Sequence, residues 1–184
     1  MYTAVEAKKL LVEGNKAYLL NTMNPADISP AIRLKTWKEG QHPYAIILCC
    51  SDSREIPEAI FSAGIGDLFV IRVAGNVIDS HQLGSMEYAA DHLGCKLIVV
   101  LGHTHCGAVD AAIHHEPDGH IKYITDDILE AIGDEKDAYK ASCMNVIHTV
   151  DRICRDECMQ KMMKNGLEII GAMYHIEDGR VEFL

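Results

Sequence analysis

The sequence predicts an α/β fold in which a mostly parallel central sheet, with an antiparallel C-terminal edge strand, is flanked by helices. Three apolar runs of strand length alternate with helical patterns, as is typical of parallel strands buried on both faces. A fourth run, 167–174, is separated from residues 181–184 by the pair Asp178-Gly179, which favours a hairpin between antiparallel strands. The three earlier runs are residues 44–50, 67–73 and 96–101.

Helices are predicted in the segments around these strands. Residues 3–20 repeat apolar side chains at roughly helical spacing, and residues 21–40, which contain two prolines, suit a loop followed by a short helix. Residues 80–93 form another helical pattern, and Gly94 after it suits a helix C-cap. The remaining helical patterns cover residues 107–114, 124–132 and 136–164.

Length and composition indicate how the chain is divided. A length of 184 residues suits one domain with a substantial core and is short for two. The composition, 48% hydrophobic and 24% charged, is that of an ordinary globular protein. We therefore predict a single domain over residues 1–184, in which residues 1–35 form an N-terminal helical arm.

Charge, hydropathy and cysteine usage narrow the partners and the compartment. The formal net charge of −10 argues against a nucleic-acid surface, which needs clustered lysine and arginine. No apolar run reaches the length of a membrane span, and the N-terminal residues lack the apolar core of a signal peptide. Seven cysteines, an odd number without a secretory signal, fit reduced thiols better than a disulfide framework. We expect a cytoplasmic protein with no nucleic-acid or membrane partner.

Two short segments carry a candidate metal site. Residues 50–54 read Cys-Ser-Asp-Ser-Arg, and residues 103–106 read His-Thr-His-Cys. Because both follow predicted parallel strands, their side chains are expected to meet at the carboxyl edge of the sheet. Two thiolates and one imidazole, from Cys50, His103 and Cys106, suit Zn²⁺ better than Mg²⁺ or Ca²⁺. Three protein ligands leave a fourth position for water, which is typical of catalytic zinc.

Asp52 and Arg54 stand two residues apart beside the first ligand, which places both side chains on one face of an extended segment. A bidentate ion pair with Arg54 keeps Asp52 ionised and aimed. Asp52 then orients the metal-bound water or takes its proton; alternatively, Asp52 itself fills the fourth metal position. Because two thiolates already cancel the metal charge, this site acidifies water less than an all-histidine site does, and we expect activity to rise into alkaline pH.

A closed site with a fourth protein ligand is the alternative to an open one. The candidates are Cys49 and His105. Cys49 precedes Cys50 on a strand, so its side chain is expected to face the opposite side of the sheet, as a core thiol. His105 lies between two ligands and has to bend back to reach the same metal. We therefore expect three protein ligands.

Together these segments resemble the β-class carbonic anhydrases. The motif of residues 50–54 is followed by Gly-His-Thr-His-Cys-Gly-Ala-Val over residues 102–109, and this pair of motifs is highly specific. The similarity extends through residues 66–76 and 85–89. The resemblance covers residues 35–115 closely, and the terminal helices and final hairpin more loosely.

The resemblance implies roles for individual residues. Zinc is expected on Cys50, His103 and Cys106, with Asp52 and Arg54 as the catalytic pair. The expected substrate-binding residues are Gln41, Phe69, Tyr88 and Gly107. The two aromatic residues are expected to line a pocket that a neighbouring subunit completes in part, and the backbone N–H of the glycine is expected to contact bound substrate.

The resemblance also implies an activity and an assembly. The activity is reversible hydration of CO₂ to bicarbonate and a proton, by attack of zinc-bound hydroxide on CO₂. The assembly is a homodimer or homotetramer, with the N-terminal helix packed on the partner subunit. Two positions depart from common family patterns: Val73 replaces a frequent asparagine, and Ile47 replaces the tryptophan of members that bicarbonate switches off. The second departure favours an open site.

Two other functions suit the same residues. A hydrolase of COS or CS₂ on the same scaffold uses similar attack by zinc hydroxide on a cumulated double bond, and a narrow tunnel that excludes bulk water favours it. A non-enzymatic zinc module uses the metal for folding alone and has four protein ligands. The pair Asp52 and Arg54 argues against the module, because a structural zinc has no use for it.

Overall fold

The computed structural model describes residues 1–20, 23, 25–114 and 119–184 of the chain. The described residues contain five strands: β1 Ala45–Cys49, β2 Leu68–Arg72, β3 Leu97–His103, β4 Glu168–Tyr174 and β5 Val181–Phe183. They form one sheet with the order β2-β1-β3-β4-β5. β1 pairs in parallel with β2 and with β3, β3 pairs in parallel with β4, and β5 is antiparallel to β4. The predicted fold class is confirmed.

The helices lie between and beyond the strands. Their bounds are α1 Ala4–Leu20, α2 Pro30–Glu39, α3 Pro57–Ile60, α4 Ser80–Asp91, α5 Gly107–Ile113, α6 Ile121–Ile132, α7 Ala138–Arg155 and α8 Glu157–Met163. A 3₁₀ turn covers Ala74–Asn76. The predicted short helix after a loop is α2, whereas Asn21, Thr22 and Asn24 of that loop lie outside the described residues. Among the helices of the described chain, none is both long enough and apolar enough to cross a membrane.

The helix predicted over residues 136–164 is wrong in one respect, since two helices, α7 and α8, replace it. The chain leaves helical geometry at Asp156, whose φ is −66° and ψ is 133°. The Asp156 side chain accepts hydrogen bonds from the N–H groups of Cys158 and Met159 and so caps α8. Aspartate competes with helical hydrogen bonding in this way, and the apolar period of the flanking helices does not reveal the break.

Alternate residues of β1 supply apolar clusters on the two faces of the sheet. Ile46 and Leu48 pack with side chains of α4, α7 and α8. Ile47 and Cys49 pack on the other face with side chains of α1 and α3. Every residue of β1 is fully buried, which explains the continuous apolar run in the sequence. Cys49 is therefore a core thiol, as predicted, and burial raises its pKa well above the usual range.

The N-terminal helix α1 is anchored on its own chain by a buried asparagine. The side-chain nitrogen of Asn15 donates to the carbonyl oxygens of Ile60 at 3.2 Å and Gly179 at 2.9 Å. Its side-chain oxygen accepts the N–H of Val181 at 3.0 Å. These bonds join α1 to the end of α3 and to the β4–β5 turn.

The helix α2, in which the predicted arm ends, packs little on its own chain. The described helix α2 has no buried residue, and the side chains of Leu34 and Trp37 are 52% and 79% exposed. Isolated exposed apolar residues are ordinary, but a helix of ten residues that buries none of them is stabilised little by its own chain. Packing of residues 1–35 on a partner subunit stays a prediction.

Candidate metal centre

Three candidate ligands meet at the carboxyl edge of the sheet. Cys50 follows β1, His103 is the last residue of the neighbouring strand β3, and Cys106 directly precedes α5. Their ligand atoms all lie within 4.8 Å of one another. The three residues are 5%, 1% and 4% exposed, respectively. Among the described residues this is the one group of histidine, cysteine and acidic side chains with the spacing of a metal site.

The imidazole of His103 is oriented by its own loop. Its Nδ1 donates a hydrogen bond to the carbonyl oxygen of Thr104 at 2.9 Å, so the Nε2 atom carries the lone pair. This Nε2 atom is buried and has no hydrogen-bond partner. An orphaned acceptor nitrogen beside two cysteine sulfurs is costly without a partner, and a soft divalent metal supplies one. The residues present therefore fit a bound metal ion.

Cys50 is held through all of its polar groups. Its N–H donates to Oε2 of Glu55 at 2.9 Å, and its carbonyl oxygen accepts from Nε of Arg72 at 3.1 Å. Its sulfur accepts the N–H of Gly75 at 3.3 Å. The thiol of Cys106 also donates to this sulfur, and these donors lower the pKa of Cys50 and favour a thiolate.

Gly75 has to be a glycine for this contact. Its φ is +69°, in the left-handed region that other residues rarely adopt. A Cβ atom at this position comes within 2.8 Å of Cδ1 of Ile128 and 3.1 Å of Cβ of Ala108. The 3₁₀ turn can therefore approach the Cys50 sulfur only because the side chain is absent.

Asp52 and Arg54 form the predicted bidentate pair. Nε of Arg54 donates to Oδ1 of Asp52 at 2.9 Å, and Nη2 donates to Oδ2 at 2.7 Å. The backbone N–H of Arg54 donates to Oδ1 as well, at 2.9 Å. These hydrogen bonds hold the pKa of Asp52 well below its usual range. The carboxylate is therefore ionised, and its Oδ2 atom lies 4.0 Å from Nε2 of His103.

Two arginines connect this pair to the surrounding loops. Nη2 of Arg54 donates to the carbonyl oxygen of His105 at 3.1 Å, which ties the first motif to the second. Nη2 of Arg72 donates to the carbonyl oxygen of Asp52 at 2.7 Å. Arg72 thus bonds to two carbonyls of the first motif. Sequence reasoning missed this role, because the contact depends on the parallel pairing of β1 with β2.

Glu55 is a second residue that sequence reasoning missed. It is fully buried, and burial raises the pKa of its carboxyl to about 8. Its Oε1 atom has no hydrogen-bond partner. A glutamate next to an arginine in a polar run is typical of a surface position, so no sequence signal marked it as buried.

The two candidates for a fourth protein ligand lie elsewhere. Cys49 faces the α1 side of the sheet, away from the three ligands. His105 is exposed and has a φ of +55°, and it does not belong to the group whose ligand atoms converge. Within the described residues, Cys50, His103 and Cys106 converge without Cys49 or His105, and a fourth position filled by water or by Asp52 stays a prediction.

The predicted substrate-binding residues fall into two places. Gly107 follows Cys106 directly, begins α5 and is exposed beside the metal group. Phe69 and Tyr88 contact each other, with ring centroids 6.2 Å apart, on the face covered by α4. Phe69 pairs in register with Ile46, near the start of β1, so roughly 13 Å of strand separates it from the level of Cys50.

Gln41 lies before the amino end of the sheet, whereas the candidate ligands lie at its carboxyl edge. It is exposed and precedes the amino end of β1 by four residues. The structure therefore brings Asp52, Arg54 and Gly107 to the candidate ligands. Within one chain it does not bring Gln41 or the two aromatic residues to them.

Comparison with known proteins places these features in one family. Residues 45–181 match the family model described as Carbonic anhydrase. The Carbonic anhydrase of Mycolicibacterium smegmatis is 35% identical over 97% of this chain and 92% of its own length. The β-carbonic anhydrase CafA of Aspergillus fumigatus superposes with a TM-score of 0.76 at 27% identity, over 84% of this chain and 81% of its own. A chain of the tetrameric β-carbonic anhydrases of Sordaria macrospora has a TM-score of 0.69 at 26% identity, over 84% and 91%.

Proposed function

Because the chain belongs to the β-carbonic anhydrase family, we propose that it hydrates CO₂ reversibly to bicarbonate and a proton at a zinc ion. Cys50, His103 and Cys106 hold this ion. One observation carries the choice of site: a buried imidazole nitrogen without a partner faces two cysteine sulfurs, beside an ionised carboxylate. Zinc held by these residues would act as a Lewis acid that lowers the pKa of water, so that hydroxide would be available for attack on CO₂.

In this proposal Asp52 and Arg54 act on the proton of the attacking water. An ionised carboxylate only accepts hydrogen bonds, so Asp52 fixes the direction in which the attacking water points its proton. Arg54 keeps the carboxylate ionised and holds both of its oxygens in a fork. The hydrogen bond from Arg54 to the carbonyl oxygen of His105 holds the two motifs in a fixed position relative to each other during proton transfer.

The substrate pocket draws on four residues. The N–H of Gly107, at the start of α5, donates to an oxygen of the substrate. Gln41 contacts the substrate as well, and Phe69 with Tyr88 lines an apolar wall, which suits a small molecule that offers few hydrogen bonds. Because these last three lie away from the ligands of their own chain, we assign them to the pocket of a neighbouring copy.

We assign a homodimer or homotetramer on this basis. Three observations support it: tetrameric relatives share the fold, the edge strand β2 has no partner on its outer side among the described residues, and α2 exposes Trp37. We further propose a single domain over residues 1–184, with residues 1–35 packed on the partner subunit. All seven cysteines are described and are free thiols, which supports a cytoplasmic location.

A stopped-flow CO₂ hydration assay on protein of measured zinc content tests the proposal. We expect activity in proportion to bound zinc, rising from about pH 6.5 into the alkaline range because two thiolates already neutralise the metal charge. Zinc-loaded protein that hydrates no CO₂ across the alkaline range refutes the proposal. Parallel assays with COS and CS₂ then show whether the same site serves a sulfur-containing substrate instead.

A further inference from the structure

The carboxyl group of Glu55 is buried beside the candidate metal ligands, although Glu55 is not one of the expected substrate-binding residues. The residue is fully buried, and its Oε2 atom accepts the N–H of Cys50 at 2.9 Å. Its Oε1 atom has no partner. Burial of a carboxyl group is costly, and an apolar side chain fills the same space at lower cost. The bond to Cys50 is the hydrogen bond that the described structure gives to this side chain.

The Cys50 N–H needs this acceptor because the sheet ends just before it. The strand β1 stops at Cys49, whose partners in the two neighbouring strands are Arg72 and Leu101. Cys50 lies one residue beyond the ladder and is itself buried. A buried N–H without an acceptor is destabilising. Without this hydrogen bond the backbone at Cys50 is free to rotate, and such a rotation displaces the Cys50 sulfur.

Glu55 also closes the loop that carries the catalytic pair. Its backbone N–H donates to the carbonyl oxygen of Asp52 at 3.0 Å. Its side chain returns to Cys50 at the start of the same loop. These two hydrogen bonds therefore close the six-residue loop from Cys50 to Glu55, which contains both the candidate ligand and Asp52.

We propose that Glu55 is a positioning residue that holds the sulfur of Cys50 in place for metal binding by accepting the Cys50 N–H. The inference rests on the proposed metal site at Cys50, His103 and Cys106. It requires an acceptor atom at the distance that a glutamate side chain reaches. It does not require a negative charge.

Two substitutions separate reach from charge. E55Q keeps the length and one acceptor oxygen but replaces the carboxyl group with an amide that cannot ionise. E55D keeps a carboxyl group but is shorter by one methylene group, so its oxygens fall short of the Cys50 N–H. The matched control is E58D, the same change at an exposed glutamate three residues further along.

The full-length chain is measured in three ways. Zinc affinity is determined by competition with a chelator, the visible spectrum of the Co²⁺-loaded protein reports thiolate ligation, and hydrogen exchange of the Cys50 amide is followed without metal. We expect E55D to bind zinc about 10–100-fold more weakly, as is typical when the partner of a metal ligand is lost. Its cobalt spectrum is expected to change and its Cys50 amide to exchange faster.

The controls decide the interpretation. E55Q is expected to stay within about threefold of the wild-type zinc affinity, and E58D is expected to be unchanged. If E55D matches the wild type in zinc affinity and spectrum, the inference is wrong while the metal site stands. If E55Q is weakened as much as E55D, an acceptor atom at the right distance is not sufficient and the carboxyl group itself is required, and the inference is again wrong. A wild-type chain that binds no zinc overturns both the metal site and this role for Glu55.

Discussion

Replacing Asp52 with asparagine tests the proposed proton acceptor with little change in side-chain size. The carboxylate of Asp52 accepts three hydrogen bonds from Arg54, one from its backbone N–H and two from its guanidinium group. Asparagine offers one acceptor oxygen. If that oxygen takes the place of Oδ1, the amide nitrogen faces Nη2 of Arg54 at the 2.7 Å now occupied by Oδ2, and two donors oppose each other. The variant therefore loses both the charge and the orientation of this side chain.

The expected magnitude follows from what remains. The sulfurs of Cys50 and Cys106 and the Nε2 atom of His103 are untouched, so zinc content is expected to stay at the wild-type value. Loss of a positioned proton acceptor typically costs about 10²–10⁴-fold in turnover, and we expect D52N to fall in that range. Stopped-flow hydration at several pH values, with zinc quantified in each sample, measures it.

The matched control for this experiment is D110N. Asp110 lies in the first turn of α5, the helix that begins directly after Cys106, and it is exposed. We expect D110N to hydrate CO₂ at the wild-type rate. If D52N keeps turnover within about threefold of the wild type at equal zinc content, the role given to Asp52 is refuted.

Three further outcomes are expected. C106A is expected to lose zinc and CO₂ hydration together, as metal analysis and stopped-flow assays of one sample show. R54Q is expected to make the free energy of unfolding depend less on acid pH, which urea unfolding at acid and neutral pH measures. Arg54 lowers the pKa of Asp52 in the folded state, so the pair stabilises the fold above the ordinary carboxyl pKa. This stabilisation is lost as the pH falls through the lowered pKa, and the variant does not have it to lose. G14A is expected to lower the free energy of unfolding by more than about 2 kcal/mol in the same assay, because a Cβ atom on Gly14 overlaps the carbonyl oxygen of Phe61. G84A is the contrasting variant: no atom lies near its new Cβ, and we expect it to stabilise α4 by about 0.5–1 kcal/mol.

The central strands and the ligand positions could be predicted from the sequence because local pattern and burial agree there. β1 and β3 are buried along their whole length, so their residues form continuous apolar runs. Their parallel pairing brings their carboxyl ends together, and Cys50 and His103 stand at those ends. The prediction placed His103 two residues after the strand, and the structure makes it the last residue of β3.

The second layer of contacts around the metal group could not be predicted in this way. The Gly75 N–H and the Arg72 guanidinium reach Cys50 across 25 and 22 residues of chain. Both contacts depend on the register between β1 and β2, which an apolar run does not specify. Glu55 is buried because the loop after β1 turns back over its own start. The helix α3 was missed for a simpler reason, since its four residues are too few to show a helical period.

The candidate ligand set comes from one chain, whereas the proposed substrate pocket needs residues of a second chain. Cys50, His103 and Cys106 all come from one edge of one sheet, so a single copy holds the whole ligand set. Phe69 lies near the opposite end of that sheet by register with Ile46, and it cannot reach its own ligands without unpairing β2 from β1. If Phe69 serves the pocket as proposed, a neighbouring copy supplies it. Loss of assembly then leaves zinc bound while turnover disappears, whereas loss of a ligand removes both together.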